Sequence, residues 1–549
     1  MRSRAGRQLL WLLLAAVTFA TPALAQSKDD GFLAAIGELR EASFPDKEAI
    51  ATRLSESGHA SARPVLSAWL EDRLYVRVSD QLIVISKSAD DSLPSLDLVD
   101  PLTLKDAGSA APDGLTRIGT NNRLRRVLKT ALARFDLSSA DATVRLAAVT
   151  EMLRSLDAAS IDVLRQRVGM EADPGVKAEI ETGLALAALD GSDTKARLDA
   201  IATLAHRLRP EVRNRLAGLL EKSSDGSFVE SDADVRKAAA TAVRSIDQSR
   251  SFYSGIETLF FGLSLGSVLV LIAIGLAISF GVMGVINMAH GELMMLGAYT
   301  TYVVQLAMPK HIGVSILVAI PAAFIVAALA GVIIERTIIR FLYGRPLETL
   351  LATFGVSLML QQLVRSVFSA NNRSVVTPAW LSGSLQINEA LAITFNRLYI
   401  VVFTLIVFAI LLMVLKRTRL GLDIRAVSQN RAMAQAMGIR SEWVDAMTFG
   451  LGSGIAGVAG VALSQLTNVG PNLGQSYIID SFMVVVFGGV GNLWGTLIGG
   501  VSMGIVNKLL EPYAGAVLAK IVVLVMLILF IQGRPRGLFP QTGRAAENQ

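Results

Sequence analysis

The chain contains no cysteine, and its 549 residues hold only four histidines, His59, His206, His290 and His311. The first absence removes disulfides, thiol nucleophiles and zinc–thiolate sites together. Four scattered histidines without cysteine assemble neither a metal centre nor a nucleophile–base pair, so an enzyme is the least favoured class. His59 and His206 stand alone among residues of ordinary surface character and read as solvated or packing histidines. No G-x-x-x-x-G-K-[ST] phosphate loop occurs in the sequence. The standard nucleotide cradle is therefore missing, and energy for any work comes from another subunit or from a gradient. No cofactor is expected. Charge is scarce too: 18% of residues are charged against 52% hydrophobic, and the mean hydropathy is +0.49. That is too apolar for an ordinary soluble chain.

The scarce charge is unevenly placed. Residues 26–250 are rich in Arg, Asp, Lys and Glu, whereas 256–531 hold long apolar runs broken by short polar loops. A soluble domain over 26–250 is expected to precede a membrane domain over 251–540, with the boundary near Ser251-Phe-Tyr-Ser-Gly255. The first 25 residues read as an export signal. Arg2, Arg4 and Arg7 make a basic start, Leu9 to Ala20 an apolar core too short to span comfortably, and Ala23-Leu24-Ala25 a small-x-small cleavage site. The signal places 26–250 outside the cytoplasm, as in a bacterial periplasm. The net charge of +6 belongs to basic membrane loops, and no nucleic-acid partner is expected.

Within the soluble region, Leu74-Tyr-Val-Arg-Val78 alternates, Ser79-Asp-Gln81 can turn, and Leu82-Ile-Val-Ile85 is a second β-rich run. Together they predict a hairpin. From Leu124 onward the periodicity is helical, with faces at Leu146, Val149, Leu153 and Leu156, at Ile180, Leu184 and Ala187, and at Leu198, Ile201 and Leu204. Asp141-Ala-Thr-Val-Arg145, Asp173-Pro-Gly-Val-Lys177 and Asp232-Ala-Asp-Val-Arg236 each put an acid where it caps a helix start, and Pro174 suits a first turn. Two architectures are open: degenerate HEAT-like helix pairs, or an ordinary helical bundle with similar caps.

Nine apolar segments can be drawn at bilayer length: 256–280, 286–306, 313–334, 348–368, 397–415, 445–466, 477–491, 495–510 and 515–531. Two of them, 477–491 and 495–510, are short enough to be broken or re-entrant. Gly488, Gly489, Gly491 and Gly495 crowd that region, for close helix packing or for unwinding beside a pathway. Arg336, Arg340 and Arg345 fill one loop. Lys416, Arg417, Arg419, Arg425, Arg431 and Arg440 fill another, and Arg534 and Arg536 follow the last segment. The positive-inside rule puts all three in the cytoplasm. An odd number of crossings then leaves the amino-terminal domain outside, in agreement with the signal. The fold class is thus an all-α polytopic membrane protein behind an exported, mainly helical domain that carries a small β-hairpin region.

Inside loop 416–443, Asn430 can cap a short helix over Arg431-Ala-Met-Ala-Gln-Ala-Met437, and Gly438 can end it in the left-handed conformation. A two-turn helix of small residues, Ala434 among them, suits a groove on a partner; a plain amphipathic linker is the alternative. Within Val285–Tyr299, Asn287, His290 and Glu292 interrupt a run otherwise apolar enough to cross a bilayer. Ionisable groups there are costly and by default mark a path or a gate. They either line a path and offer donors and acceptors to a neutral polar solute, or Asn287 caps a helix whose positive end Glu292 favours. Gln361, Gln362 and Arg365 lie toward the outer end of their segment; Gln465 and Asn468 are equally ambiguous.

Three motifs in order, Ile286-Asn-Met-Ala-His-Gly-Glu292, Arg425-Ala-Val-Ser-Gln-Asn-Arg-Ala-Met-Ala-Gln-Ala-Met-Gly-Ile439 and Val485-Val-Phe-Gly-Gly-Val-Gly-Asn-Leu-Trp-Gly-Thr496, resemble the signatures of LivH-type permeases over about 255–540. That family forms the membrane subunits of ABC importers for branched-chain amino acids and related small solutes. The resemblance implies a second permease subunit, two ABC ATPase subunits and a periplasmic substrate-binding protein as partners. It also implies a coupling helix at Asn430–Ile439, making Arg425, Asn430, Arg431, Ala434 and Gly438 the ATPase-coupling candidates. Plain amino-acid permeases lack the exported extension. Signal plus helical domain resembles instead the urea-transport permeases of the UrtB type, with Asp480-Ser-Phe-Met-Val-Val-Val-Phe-Gly-Gly489 in support, so urea is the substrate this subgroup implies. A gradient-driven transporter or channel is the rival, for which Glu292 and Asp480 are the only acidic candidates. An exported sensor or scaffold with a membrane anchor makes poor use of so many Gly-rich spans.

Overall fold

The structure, a computed structural model, describes residues 31–90, 94–154, 156–222 and 226–539. The export signal expected over 1–25 lies outside the described residues. The chain divides into two compact units, Met1–Ser249 and Arg250–Gln549.

The described residues of the first unit start with a helical stretch over 31–38 (α1), then α2 (Phe44–Glu56) and α3 (Ala62–Leu70). The run Leu74–Arg77 (β1) pairs antiparallel with Ile83–Ser86 (β2), Tyr75 opposite Val84. This is the expected hairpin, and it is the middle of a larger sheet. Strands β3 (Leu96–Val99), β4 (Asp106–Ala110) and β5 (Leu115–Arg117) complete it in the order β4-β3-β2-β1-β5. Strands β4 and β5 are short and mostly polar, and β3, Leu-Asp-Leu-Val, alternates over only four residues, too few for a sequence pattern to register. Phe32, Trp69, Leu74, Ile85 and Leu124 share one core beneath the sheet.

Helices α4 (Asn122–Asp136), α5 (Ala142–Leu153), α6 (Ala158–Val168), α7 (Pro174–Ala188), α8 (Thr194–Leu204) and α9 (Pro210–Gly218) follow. The starts of α4 to α8 are capped by side chains. Asp141 accepts from Thr143 N–H, and Asp173 from Gly175 and Val176 N–H, with Pro174 in the first turn. Asp232 accepts from Asp234 and Val235 N–H at the start of α10 (Ala233–Met283). Val149, Leu153, Ile180, Ile201 and Leu204 enter a shared core with Val235 and Ile246. Leu146, expected on that face, is 38% exposed, and Arg145 is buried in its stead. The reason is a fork: Arg145 Nη2 and Nε donate to the two oxygens of Glu171 at 2.7 and 3.0 Å.

The second unit is mainly helical: the later part of α10, then α11 (His290–Ala307), α12 (Ile312–Thr337), α13 (Pro346–Phe368), α14 (Phe395–Arg417), α15 (Arg419–Gln429), α16 (Arg431–Ala436), α17 (Ser441–Ser464), α18 (Leu473–Gly488) and α19 (Leu493–Gly533). It departs from the all-α expectation between α13 and α14, where β6 (Ser384–Asn388) and β7 (Leu391–Thr394) pair as an antiparallel hairpin. Six of the described helices are long and apolar enough to cross a membrane: α10, α12, α13, α14, α17 and α19; α18 is apolar but shorter. The segment drawn at 286–306 begins as a helix only at His290, because Gly284 takes a φ of 65° and ends α10 at Met283. Segments 495–510 and 515–531 both fall within α19, which is interrupted at Gly515 with φ 76°.

Helix α17 is the centre of this unit, buried almost without a break from Thr448 to Ser464. Its glycines explain how. A Cβ at Gly457 would lie 2.5 Å from the Ala323 carbonyl oxygen, and one at Gly452 2.6 Å from that of Gly275. Hydrogen-for-methyl positions of this kind let three neighbouring helices approach backbone to backbone, where dispersion contacts are densest. By contrast α13, α14 and α19 turn Leu351, Met359, Ile406, Ile410, Met413 and Leu529 outward, each more than half exposed or nearly so. An apolar outer surface around a glycine-packed interior is the arrangement a bilayer stabilises.

Candidate functional site

The chain between α10 and α11 is a turn pinned from α13. Met288 N–H donates to Thr353 Oγ1 at 3.1 Å. Asn287 lies in this turn, not in a helix. Its Oδ1 accepts from Ala289 N–H at 3.0 Å, which closes a local Asx turn, while Ala289 itself occupies the cap position of α11. The carbonyl of Ile272, inside α10, accepts from His290 Nε2 at 3.0 Å. His290 therefore ties α11 to α10, and its Cε1 would be 2.9 Å from a Cβ placed at Gly275.

Glu292 makes the most informative contacts. Its Oε1 accepts from Ser357 Oγ at 3.0 Å and from Gln361 Nε2 at 2.7 Å, both on α13, and Glu292 is 1% exposed. Thr353, Ser357 and Gln361 recur every fourth residue, so one stripe of α13 faces the start of α11. Among the described residues, Glu292 Oε2 and Asn287 Nδ2 are buried without a hydrogen-bond partner. The arrangement thus holds one free acceptor and one free donor at the start of α11. Gln361 was legible only as a polar residue near the end of a span, and Ser357 and Thr353 were not singled out. Their i, i+4 spacing was the available clue.

The other ambiguous polar residues are placed apart. Gln362 lies on α13 one position beyond Gln361. Arg365 donates to Asn472 Oδ1 at 2.7 Å, and Gln465 is buried with Oε1 unpartnered. Asp480 pairs with Lys520 at 2.8 Å. The glycines of 488–495 form backbone contacts. A Cβ on Gly488 or on Gly495 would collide with the other glycine's backbone, and Gly489 has φ 102° beside the Phe539 carbonyl. Gly491, with φ 77°, sets its Cα against Gly281.

In the loop, Asn430 Oδ1 accepts from Met433 N–H at 2.9 Å and starts α16; Gly438 follows it with φ 86°. Arg431 donates to both oxygens of Asp445 at 3.1 and 2.5 Å, and its guanidinium lies 4.1 Å over the Tyr343 ring. Ala434 is 5% exposed and packs with Ile424, Val427 and Val444. Ala434 and Arg431 hold the short helix in place. The large apolar side chains exposed here are Met433 on the helix and Met437 at its C-cap, 60% and 77% exposed, neither of which the sequence reading singled out. Arg425 Nη1 donates to the Leu415 carbonyl at 3.0 Å, turned back toward the end of α14. Among the described residues no group of three or more His, Asp or Glu is placed to hold a metal ion.

Comparison with known proteins agrees with this organisation. The family model described as branched-chain amino acid transport system / permease component matches residues 258–531. The high-affinity branched-chain amino acid transport system permease protein LivH of Salmonella typhimurium is 32% identical over 301 residues, 53% of this chain and 97% of that protein. The corresponding permease BraD of Pseudomonas aeruginosa is 32% identical over 296 residues, 52% of this chain and 96% of that protein. The ribose import permease RbsC of Escherichia coli is 28% identical over 270 residues, 47% and 79% respectively. No solved structure matches the chain significantly. The chain belongs to the branched-chain amino acid transport system / permease component family, as a multi-helix membrane permease with a further folded unit ahead of the matched region.

Proposed function

We propose that this permease is the membrane subunit of an ATP-driven ABC importer for urea or a similar small amide. The observation that carries the reading is Glu292, a buried carboxylate held by Ser357 and Gln361 through one oxygen and free at the other, with the free Asn287 amide N–H at the same helix start. A small amide offers N–H donors to the first and a carbonyl to the second. Buried polar groups discriminate sharply for ligands that satisfy them, because an unpaired one costs about 1–3 kcal/mol. The extension ahead of the permease region supports the urea subgroup through its resemblance to the UrtB type.

In this reading residues 1–25 are a cleaved export signal, and 26–250 form a periplasmic, HEAT-like domain. The permease region 251–540 lies in a bacterial inner membrane, with loop 416–443 and the carboxyl terminus in the cytoplasm. The partners are a second permease subunit, two ABC ATPase subunits and a periplasmic binding protein. ATPase closure moves α16, gripped through Met433 and Met437, and α16 carries α17 with it through the Arg431–Asp445 pair. The interior then opens alternately to either side.

A second reading, import of branched-chain amino acids, is favoured by the printed function of the relatives. Coupling to a proton gradient keeps Glu292 as its acidic candidate, since Asp480 has a lysine counter-ion. The test is reconstitution of the chain with its partner subunits in liposomes and measurement of labelled urea beside labelled leucine. Urea uptake dependent on ATP and binding protein supports the proposal. Leucine uptake without urea keeps the importer and removes the amide. Uptake indifferent to ATP removes the coupling role of α16.

A further inference from the structure

Where α14 ends and α15 begins, four basic residues fall within ten positions: Lys416, Arg417, Arg419 and Arg425, with Asp423 the single acid among them. Among the described residues none of the four forms an ion pair. Arg425 is held by the Leu415 carbonyl at 3.0 Å, which fixes its guanidinium against the last turn of α14. Here α10, α14, α15 and the start of α19 surround a cavity of about 370 Å³. Its wall has two characters. Lys416, Arg425, Ser428 and Asn492 line one part; Leu412 and Ile278, from two apolar helices, line another. Trp494 also lines it, 52% exposed, with its ring edge-on to Phe408 at 5.3 Å.

These observations are independent and converge. Unpaired cations at the end of a long apolar helix lie where a bilayer meets water, and a half-exposed tryptophan at the same level is the side chain that prefers this boundary. A cavity lined by both cationic and aliphatic side chains matches a molecule with a phosphate joined to hydrocarbon. We propose that this cavity binds the headgroup of an anionic phospholipid, with Lys416 and Arg425 facing the phosphate, the Asn492 amide nitrogen supplying a neutral hydrogen bond, and an acyl chain lying along α14 beside Trp494. Free phosphate shares the charge but has no use for the aliphatic wall. The site gives Arg425 a task distinct from ATPase docking: it positions the turn between a membrane span and loop 416–443. The inference rests on the reading that this turn lies at a membrane face, and not on which solute is carried.

The full-length chain, purified in detergent, is incubated with equal amounts of phosphatidylglycerol and phosphatidylcholine, and retained lipid is read by native mass spectrometry. Preferential retention of phosphatidylglycerol is expected. Each basic side chain near an anionic lipid is worth roughly fivefold in binding, so Lys416→Glu lowers retention by more than about tenfold. Arg425→Lys, which keeps the charge, leaves the preference in place. Brominated phosphatidylglycerol is expected to quench a fluorescence component that Trp494→Phe removes. Equal retention of the two lipids, or a preference unchanged in Lys416→Glu, overturns the proposal. Displacement of the lipid by glycerol 3-phosphate alone reassigns the site to a soluble phosphate and also overturns it. Loss of the preference once the second permease subunit is bound shows that a protein covers the cavity, with the same consequence. The chain has no cysteine, so a single Ser428→Cys labelled from one side of sealed vesicles reports which face the turn occupies. Labelling from the outer side removes the inward placement and leaves the lipid result standing.

Discussion

Glu292 of α11 and Gln361 of α13 meet in the interior of the permease unit, the amide Nε2 donating to the carboxyl Oε1 at 2.7 Å with both side chains buried. They are 69 residues apart in sequence. Their contact joins the start of α11 to a helix whose outer face is apolar, so the polar interior depends on how α13 is rotated.

Gln361→Leu removes one of the two hydrogen bonds to Oε1 and leaves Ser357 alone with the carboxyl. The expected cost is about 1–3 kcal/mol of stability, read as a lower midpoint of thermal unfolding in detergent. Uptake falls with it. Glu292→Gln keeps the shape and is expected to unfold near the parent midpoint while losing transport. A Glu292→Gln protein that transports at the parent rate removes Glu292 from the path.

Gly438 follows α16 with φ 86°, and a Cβ there would meet nothing within 4 Å. The obstacle to substitution is thus conformational and not steric crowding by neighbours. Left-handed backbone costs an L residue roughly 1–2 kcal/mol. Gly438→Val is expected to insert normally, to hydrolyse ATP in the assembled complex and to lose uptake, whereas Gly438→Asn, which tolerates this conformation, keeps uptake. Normal uptake by the valine variant refutes the coupling role.

Arg431 and Asp445 link α16 to α17 through two hydrogen bonds. A double-mutant cycle with Arg431→Met and Asp445→Asn is expected to give a coupling of roughly 0.5–3 kcal/mol. The readout that distinguishes a link from simple bulk stability is ATP hydrolysed per solute moved. That ratio rises in either single variant, and an unchanged ratio assigns the pair to folding alone.

Gly297 of α11 faces Gly457 of α17 so closely that a Cβ would overlap the latter's carbonyl. Gly297→Ala must push two helices apart, and overpacking of this kind costs about 1–3 kcal/mol. Reduced yield of monodisperse protein on size exclusion is the expected result. Gly355→Ala, where nothing lies within 4 Å of the added atom, is the control that should behave as the parent.

In the first unit, hydrogen bonding to Arg145 above all holds the Glu171 carboxyl down at about 2 from its ordinary 4.5, against the opposing effect of burial. The unfolded chain therefore takes up a proton at Glu171 at higher pH than the folded one does. The stabilisation is complete above about pH 4.5 and is lost as pH falls toward 2. Hydrogen exchange of α5 and α7 amides is expected to accelerate through that window. Glu171→Gln removes this acid dependence and lowers protection already at neutral pH.

How much of this was legible differs from element to element. The aspartate caps of α5, α7 and α10, the Asn430 cap and the Gly438 terminator were readable because capping is local: one side chain reaches an N–H two or three residues on. The hairpin β1–β2 was readable from β-rich runs around a turn, whereas β3, β4 and β5 were not, since their strands are short and owe their state to neighbours in the sheet. Leu146 and Arg145 show the limit of periodicity. A helical face assigned by hydrophobicity is displaced when a charged residue finds a forked partner, and Glu171 is 26 positions away.

The sequence by itself determined that this chain is a membrane permease behind a second, charge-rich unit, because apolar runs of bilayer length and the three permease motifs are continuous stretches of residues. It also determined which residues deserved suspicion, since ionisable groups are rare in such runs. Only the tertiary structure decided what those residues do to one another. It set Asn287 in a turn, gave His290 to a backbone carbonyl of α10, and brought Ser357 and Gln361 to Glu292. It also turned Ala434 inward and left Met433 and Met437 outside. Such pairings depend on the rotation of one packed helix against another. Residues distant in sequence set that rotation, and no local pattern around the paired residues encodes it.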